Sequence, residues 1–262
     1  MKIAIIGAGN IGGAMARGLM LKKVVSPSEL TLTTSRQSSL GRYADLGCNL
    51  TTDNAAAVRD ADVVVLALKP GVVVRIAEEL SAELDFGRQL VVSLAAGVDD
   101  GAMLSALEQA GGPGVEFAVA IPNIAMEIGE SMTFISPVRI SDENLALAAG
   151  IFGKLGSVKV VDRKLLPAGT ALASCGIAHA MRYARAASVG GVELGFEADE
   201  ALEIVEQTVI GAMQLLKAHG SHPEAEIDKV TTPGGITIKG LTAMEKAGFS
   251  AAVVEGLKAS KK

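Results

Sequence analysis

Gly7-Ala8-Gly9-Asn10-Ile11-Gly12 follows the apolar run Lys2–Ile6 and opens a segment with Ile11, Met15, Leu19 and Met20 at helical spacing. A strand, a glycine turn and a helix in that order confine the start of the chain to a β-α-β unit with parallel strands. In such a turn Gly7 makes the bend and Gly9 lets a pyrophosphate approach the backbone. Gly12, helped by Gly13 and Ala14, lets helix and strand pack closely. With 30 glycines in 262 residues the motif alone is weak, and its context makes it specific. Ile6, Gly7, Ala8, Gly9, Asn10, Ile11 and Gly12 form a candidate dinucleotide site.

Short apolar runs continue at Glu29–Thr34, Asp62–Leu68, Gln89–Leu94, Glu116–Ala120, Met132–Ile135 and Val158–Val161. Val63–Leu68 and Leu90–Leu94 do not alternate, as expected for central strands buried on both faces. With helical patterns between them, they predict an α/β unit built on a parallel, helix-covered sheet. Beyond about Asp162 the strand signal ends. Long helical patterns follow over Leu165–Val189, Asp199–His219 and Pro233–Ala247, then a short one over Ala251–Ala259. Domains of 1–161 and 162–262 are expected, the second all helical. Its first helix carries Leu172, Cys175, Ile177, Ala180 and Met181 on most of its faces, so it needs a cover. A second copy of the chain would supply one, which predicts a homodimer.

Other classes are set aside by composition. Lys and Arg number 24 and Asp and Glu 29, for a net charge of −5, and no basic stripe suggests nucleic acid. No apolar run approaches the roughly 20 residues of a membrane span. Cys48 and Cys175 lie far apart in apolar company, which points to neither a disulfide framework nor a Cys/His metal site. A cytoplasmic protein is expected.

Two further segments suggest ligands. At the end of the second strand stand Thr33-Thr34-Ser35-Arg36, with no carboxylate for a ribose 2′-hydroxyl. A guanidinium among hydroxyls suits a 2′-phosphate, so Ser35 and Arg36 predict NADPH, with NADH less favoured. Near the other end, Thr231-Thr232-Pro233-Gly234-Gly235-Ile236-Thr237 reads as a bare helix start, with Thr232 as N-cap, Pro233 at the first position and glycines that leave the N–H groups open. Two such glycines would each cost roughly 1 kcal/mol against alanine in a helix, more than capping alone explains. A small carboxylate is the expected ligand.

Four segments carry a family resemblance over nearly the whole chain: Ile6–Ile11, Val65-Leu66-Ala67-Leu68-Lys69-Pro70, Val92-Ser93-Leu94-Ala95-Ala96-Gly97 and Asp228–Ile238, with Gly240-Leu241, Glu245 and Gly248-Phe249 beyond. The chain resembles the pyrroline-5-carboxylate reductases, the last enzymes of proline biosynthesis. The resemblance implies a Rossmann domain followed by a helical dimerisation domain, with dimers that assemble further into rings. It implies Asn54 near the adenosine ribose, and Ala67, Leu68, Lys69, Pro70, Leu94, Ala95 and Ala96 beside the nicotinamide. It also implies that Thr232, Gly234, Gly235, Ile236 and Thr237 bind a cyclic imine carboxylate, with the Thr237 hydroxyl near the imine nitrogen. In the family this segment faces the partner subunit's cofactor.

The chain departs from the family where Ala120-Ile121-Pro122-Asn123-Ile124-Ala125 replaces Arg-x-Met-Pro-Asn-Thr-Pro and where Ala173–His179 replaces Ser-Gly-Ser-Gly-Pro-Ala-Tyr. These changes bear on substrate preference more than on reaction class. His179 on an apolar helix reads as a packed residue before it reads as a proton donor. A hydroxyacid dehydrogenase of similar architecture would carry a helical lysine, yet none occurs from Leu165 to Leu216. A reductase of another cyclic imine and a non-catalytic NADPH sensor are the remaining alternatives. The second anion site argues against the sensor.

Overall fold

The computed structural model describes residues 1–261 and divides into two compact units, Met1–Ser174 and Cys175–Ser260. The first unit reaches beyond the expected boundary at 161/162.

The first unit is an eight-stranded sheet: β1 (Ile3–Ile6), β2 (Leu30–Thr33), β3 (Asn49–Thr51), β4 (Val63–Leu66), β5 (Leu90–Ser93), β6 (Glu116–Ile121), β7 (Ser131–Arg139) and β8 (Gly156–Val160). Their order is β3-β2-β1-β4-β5-β6-β7-β8. All pairs from β3 to β6 are parallel, as is β7 with β8, but β7 runs antiparallel to β6. Residues 122–130 are too few for the crossover of about a dozen or more that a parallel return needs. Helices α1 (Asn10–Leu21), α2 (Asn54–Arg59), α3 (Pro70–Leu80), α4 (Asp100–Leu107) and α5 (Asp142–Lys154) lie between the strands in sequence, and a short α6 (Leu166–Gly169) follows them.

Successive residues of β1 serve opposite faces of the sheet. Ile3 and Ile5 join a core with Met15 and Leu19 of α1 and Phe152 of α5. Ala4 and Ile6 join a second core with Ile76 and Leu80 of α3 and Leu107 of α4. Each fully buried Ile or Leu contributes about 1.5–3 kcal/mol, so the expected non-alternating strands are stabilised from both sides. Strand β3, Asn49–Thr51, has no counterpart among the expected strands, because its one apolar residue, Leu50, makes no hydrophobic run.

The second unit is helical, as expected: α7 (Gly176–Glu193), α8 (Ala198–His219), α9 (Pro223–Lys229), α10 (Ile236–Lys246) and α11 (Phe249–Ser260). The pattern read as one helix over Leu165–Val189 is divided by a π-helical turn at Thr170–Cys175 that precedes α7. Gly220 ends α8 in the left-handed region at φ 61°. Helix α9 was missed, although Pro223 in its first turn, just after the capping residue His222, is the usual signature of a start.

The last long helix corrects the expected start at Pro233. Thr232 does not cap it: Gly235 N–H donates to the Thr232 carbonyl at 2.9 Å, closing a turn with Gly234 at φ 70°. Glycine at the third turn position makes this geometry cheap, so the turn wins over an earlier helix and α10 begins at Ile236 with Gly235 as its N-cap.

Of the described residues in Cys175–Ser260, Ala201 is the single buried hydrophobic side chain. Leu194 is 84% exposed, and Met181, Ile210, Met213, Phe249 and Val253 are exposed as well. Phe249 and Tyr183 stack edge to face with centroids 6.3 Å apart, along an open apolar groove that also holds His179, Met244 and Val253. Helices with this much apolar surface and so little core need a cover.

Candidate active site

The carboxyl ends of β1, β2, β4, β5 and β6 share one edge of the sheet, and the strand order turns back at β1, between β2 and β4. Open α/β sheets bind ligands in the crevice at such a point. The turn after β1 is built there: Gly7 N–H donates to Thr33 Oγ1 at 3.2 Å and Ala8 N–H to the Thr33 carbonyl at 2.7 Å. Gly7 has φ 105°, and a Cβ on it would stand 2.7 Å from the Ala67 carbonyl oxygen. At Gly12 a Cβ would stand 2.0 Å from the Gly7 carbonyl oxygen, whereas at Gly9 it would meet nothing within 4 Å. Gly12 is therefore a packing glycine, and Gly9 faces open space where a ligand can reach the backbone. The expectation for Gly13 is corrected, since its missing Cβ makes room for the Tyr43 ring and not for a strand.

The helix starts of the first unit differ in their capping. Asp53, Asp99 and Ser141 cap α2, α4 and α5 with side-chain oxygens. Helices α1 and α3, which start behind β1 and β4, have no side-chain cap and no acidic residue in the first turn. The N–H groups of Asn10, Ile11 and Gly12 are thus left for an anion at the positive end of the α1 dipole. Lys69 is the N-cap of α3 and Pro70 its first residue, which makes Lys69-Pro70 a helix start and not only a strand end.

The other expected cofactor residues gather on the same edge. Ala67 N–H donates to the Ile6 carbonyl at 2.9 Å and Leu94 N–H to the Leu66 carbonyl at 3.0 Å, so the segments after β4 and β5 leave the sheet in register. Ala95 is buried with its N–H 3.2 Å from Ser93 Oγ, and Ala96 is exposed. Asn54 is the first residue of α2, half-buried. Ser35 and Arg36 are exposed beyond β2, where the buried Thr34 hydroxyl donates to the Arg36 carbonyl at 2.7 Å. An adenosine 2′-phosphate fits this end, since no carboxylate stands among Thr33–Arg36 to repel it.

In the second unit, α10 also starts without a side-chain cap or first-turn acid. The N–H groups of Ile236, Thr237 and Ile238 form its open end, and Ile236 is 88% exposed. A Cβ on Gly235 would stand 2.4 Å from Thr232 Oγ1 and 3.0 Å from the Thr232 carbonyl oxygen, so a side chain there would press on the turn. The preceding helix α9 is tied down at Glu226, which accepts from Lys229 Nζ at 2.6 Å and from the Ser221 hydroxyl. These donors hold the Glu226 carboxyl at about 2, below its ordinary range.

Tyr43 is the site-forming residue that sequence reasoning passed over, while Thr33, expected among the phosphate hydroxyls, accepts from the Gly7 N–H instead. The Tyr43 hydroxyl donates to the Ala8 carbonyl at 2.9 Å from a coil 35 residues away. Nothing in its local pattern marks it.

A doubly wound sheet with a bare glycine turn at its reversal point, joined in sequence to a coreless helical unit, defines a dinucleotide-dependent oxidoreductase. Residues 2–97 match the family described as NADP oxidoreductase coenzyme F420-dependent, and residues 163–262 match pyrroline-5-carboxylate reductase dimerisation. The pyrroline-5-carboxylate reductase of Methanosarcina acetivorans is 34% identical over 98% of this chain and 94% of its own. Pyrroline-5-carboxylate reductase 1 of Dictyostelium discoideum is 35% identical over 97% of this chain, which spans 48% of that longer protein. The structure of the Streptococcus pyogenes 1-pyrroline-5-carboxylate reductase superposes with a TM-score of 0.82 at 28% identity, covering 100% of this chain and 98% of that one. The fold also matches the Plasmodium falciparum pyrroline carboxylate reductase with NADP bound, with a TM-score of 0.88 at 21% identity over 99% and 95% of the two chains. This chain belongs to the pyrroline-5-carboxylate reductase family.

Proposed function

We propose that this protein reduces 1-pyrroline-5-carboxylate to L-proline, the last step of proline biosynthesis, in the cytoplasm, where its two free cysteines stay reduced. NADPH supplies the hydride, and one proton completes the amine. The observation that carries this reading is the pair of glycine-led helix starts, α1 and α10, each without a side-chain cap, one suited to a dinucleotide and one to a small carboxylate.

Gly7 to Gly12 would hold the pyrophosphate, Ser35 and Arg36 the 2′-phosphate, and Asn54 the adenosine ribose. Ala67 to Pro70 and Leu94 to Ala96 would flank the nicotinamide. Backbone N–H groups of Gly234, Ile236 and Thr237 would fix the ring carboxylate, while the Gly235 N–H closes the turn onto Thr232 and leaves both residues beside the ligand. The Thr237 hydroxyl would hydrogen-bond the ring nitrogen as it becomes an amine. Catalysis is then largely orientation, because a protonated imine needs little further acid–base help. Thr237→Ala is expected to lower kcat/KM for pyrroline-carboxylate by ~10- to 100-fold, the value of one hydrogen bond to a charged group, with NADPH affinity unchanged. Wild-type kinetics would remove Thr237 from the mechanism.

The cofactor reading has its own test. Arg36→Ala should raise the KM for NADPH about 10-fold and leave that for NADH within twofold, as loss of one guanidinium–phosphate contact predicts. Equal use of NADH by the wild type would overturn it. A second reading, reduction of another cyclic imine, is favoured by Ile121 and His179 at positions where the family pattern differs. NADPH oxidation assayed with pyrroline-carboxylate beside its six-membered homologue separates the two. Assembly of dimers into rings is proposed as well, and light scattering at several times the monomer mass would support it.

A further inference from the structure

We propose that Tyr43 is a positioning residue for cofactor choice, tying the coil that presents Ser35 and Arg36 to the glycine turn that receives the pyrophosphate. The proposal rests on the reading of Ser35-Arg36 as a 2′-phosphate site. The coil, Gln37–Leu46, is wound as a 3-10 helix and carries one buried residue, Tyr43. Its hydroxyl donates to the Ala8 carbonyl at 2.9 Å, inside the glycine turn. The ring reaches that far because Gly13 has no side chain, and a Cβ there would stand 2.5 Å from the hydroxyl and 2.8 Å from the ring.

Helix α1 adds a second attachment to the same stretch. Arg17 lies 5.7 Å from the Tyr43 ring centroid, a cation–π contact. Its guanidinium donates to Asp45 Oδ2 at 2.7 Å and to the Arg42 carbonyl at 2.9 Å. At the near end, the Arg36 carbonyl accepts from the Thr34 hydroxyl at 2.7 Å and from Ser39 N–H at 2.9 Å. Ser35 and Arg36 thus stand between two anchors: the end of β2 and the Tyr43–Arg17 tether. The first sets where the segment leaves the sheet; the second sets how far it stands from the pyrophosphate turn. A ligand with phosphates at both places reads that separation, and one with the pyrophosphate alone does not.

The test is a titration of the intact protein with NADPH and with NADH, followed by nucleotide fluorescence. Tyr43→Phe keeps the ring on Gly13 and removes only the hydroxyl. It should weaken NADPH ~3- to 10-fold, the size of one neutral hydrogen bond, and NADH less than twofold. In an Arg36→Ala background the same change should add nothing, because the residue it positions is gone. Gly13→Ala, which displaces the ring, should shift the NADPH-to-NADH ratio the same way. An unchanged ratio in Tyr43→Phe would overturn the proposal. So would equal weakening of both nucleotides with a lower melting temperature, which marks a merely structural role, or additive effects in the double variant. Equal wild-type affinity for both nucleotides would remove the 2′-phosphate reading and this proposal together. The titrations need no imine, so failure of the reductase reading leaves them decisive.

Discussion

Gly12→Ala is expected to abolish NADPH binding, with a loss on the order of 100-fold or more in affinity and a lower melting temperature. The added Cβ would stand 2.0 Å from the Gly7 carbonyl oxygen and 3.0 Å from Ala67 Cβ. Both are held by the sheet, Gly7 through Thr33 and Ala67 through the Ile6 carbonyl, so helix α1 must move instead. Overpacking of this kind costs about 1–3 kcal/mol, which by itself approaches two decades in a binding constant if it falls on the bound state. The shift also takes the Asn10–Gly12 N–H groups away from the pyrophosphate. Gly9→Ala is the matched control. Its Cβ would meet no protein atom within 4 Å, so the melting temperature should hold while the nucleotide is crowded. Equal effects of the two changes on stability, or NADPH binding retained by Gly12→Ala, would show that α1 does not start where the cofactor binds.

The second large effect concerns the helical unit. Val253→Asp should convert a dimer into a monomer and remove reductase activity. Val253 is 44% exposed, in the apolar groove with Phe249 and Tyr183, so a carboxylate there costs the separated chain little. Once covered by a second copy, an unpaired carboxylate costs at least the roughly 1–3 kcal/mol of a buried polar group, and a twofold interface counts it twice. The dimer dissociation constant should rise by ~30-fold to 10⁴-fold. Sedimentation of the variant at micromolar concentration reads the result directly, and an unchanged dimer would place the interface elsewhere.

Much of this molecule was legible in the chain. Lys2–Gly12 announced a β-α-β unit because the motif is local, with strand, turn and helix adjacent in sequence. Val63–Leu68 and Leu90–Leu94 announced central strands because burial on both faces leaves no polar alternation to obscure them. The turn at Thr232–Gly235 shows where such reading stops. Thr-Pro-Gly-Gly is compatible both with a capped helix start and with a turn that needs a left-handed glycine, and the two differ by three residues in where the open N–H groups stand. The hydrogen bond from Gly235 to Thr232 decides it. Asn49–Thr51 and the division at Thr170–Cys175 were hidden for a related reason, since neither a three-residue edge strand with one apolar side chain nor a π-helical turn leaves a periodic trace.

Residue order alone carried the parallel strands β1, β2, β4, β5 and β6 with their helical sequel, the family, the glycine turn and the carboxylate-free end of β2, whereas the antiparallel return of β7 did not show in it. These depend on residue types in short-range order. Which glycine makes room for which neighbour became visible in the folded chain: Gly7 for Ala67, Gly12 for the Gly7 carbonyl, Gly13 for Tyr43 and Gly235 for Thr232. The tertiary structure also decided that Tyr43 closes onto Ala8 and that Cys175–Ser260 has no core of its own. Close approach and burial are properties of surfaces that meet across long stretches of chain, and a hydroxyl 35 residues from its acceptor has no signature until the fold brings the two together.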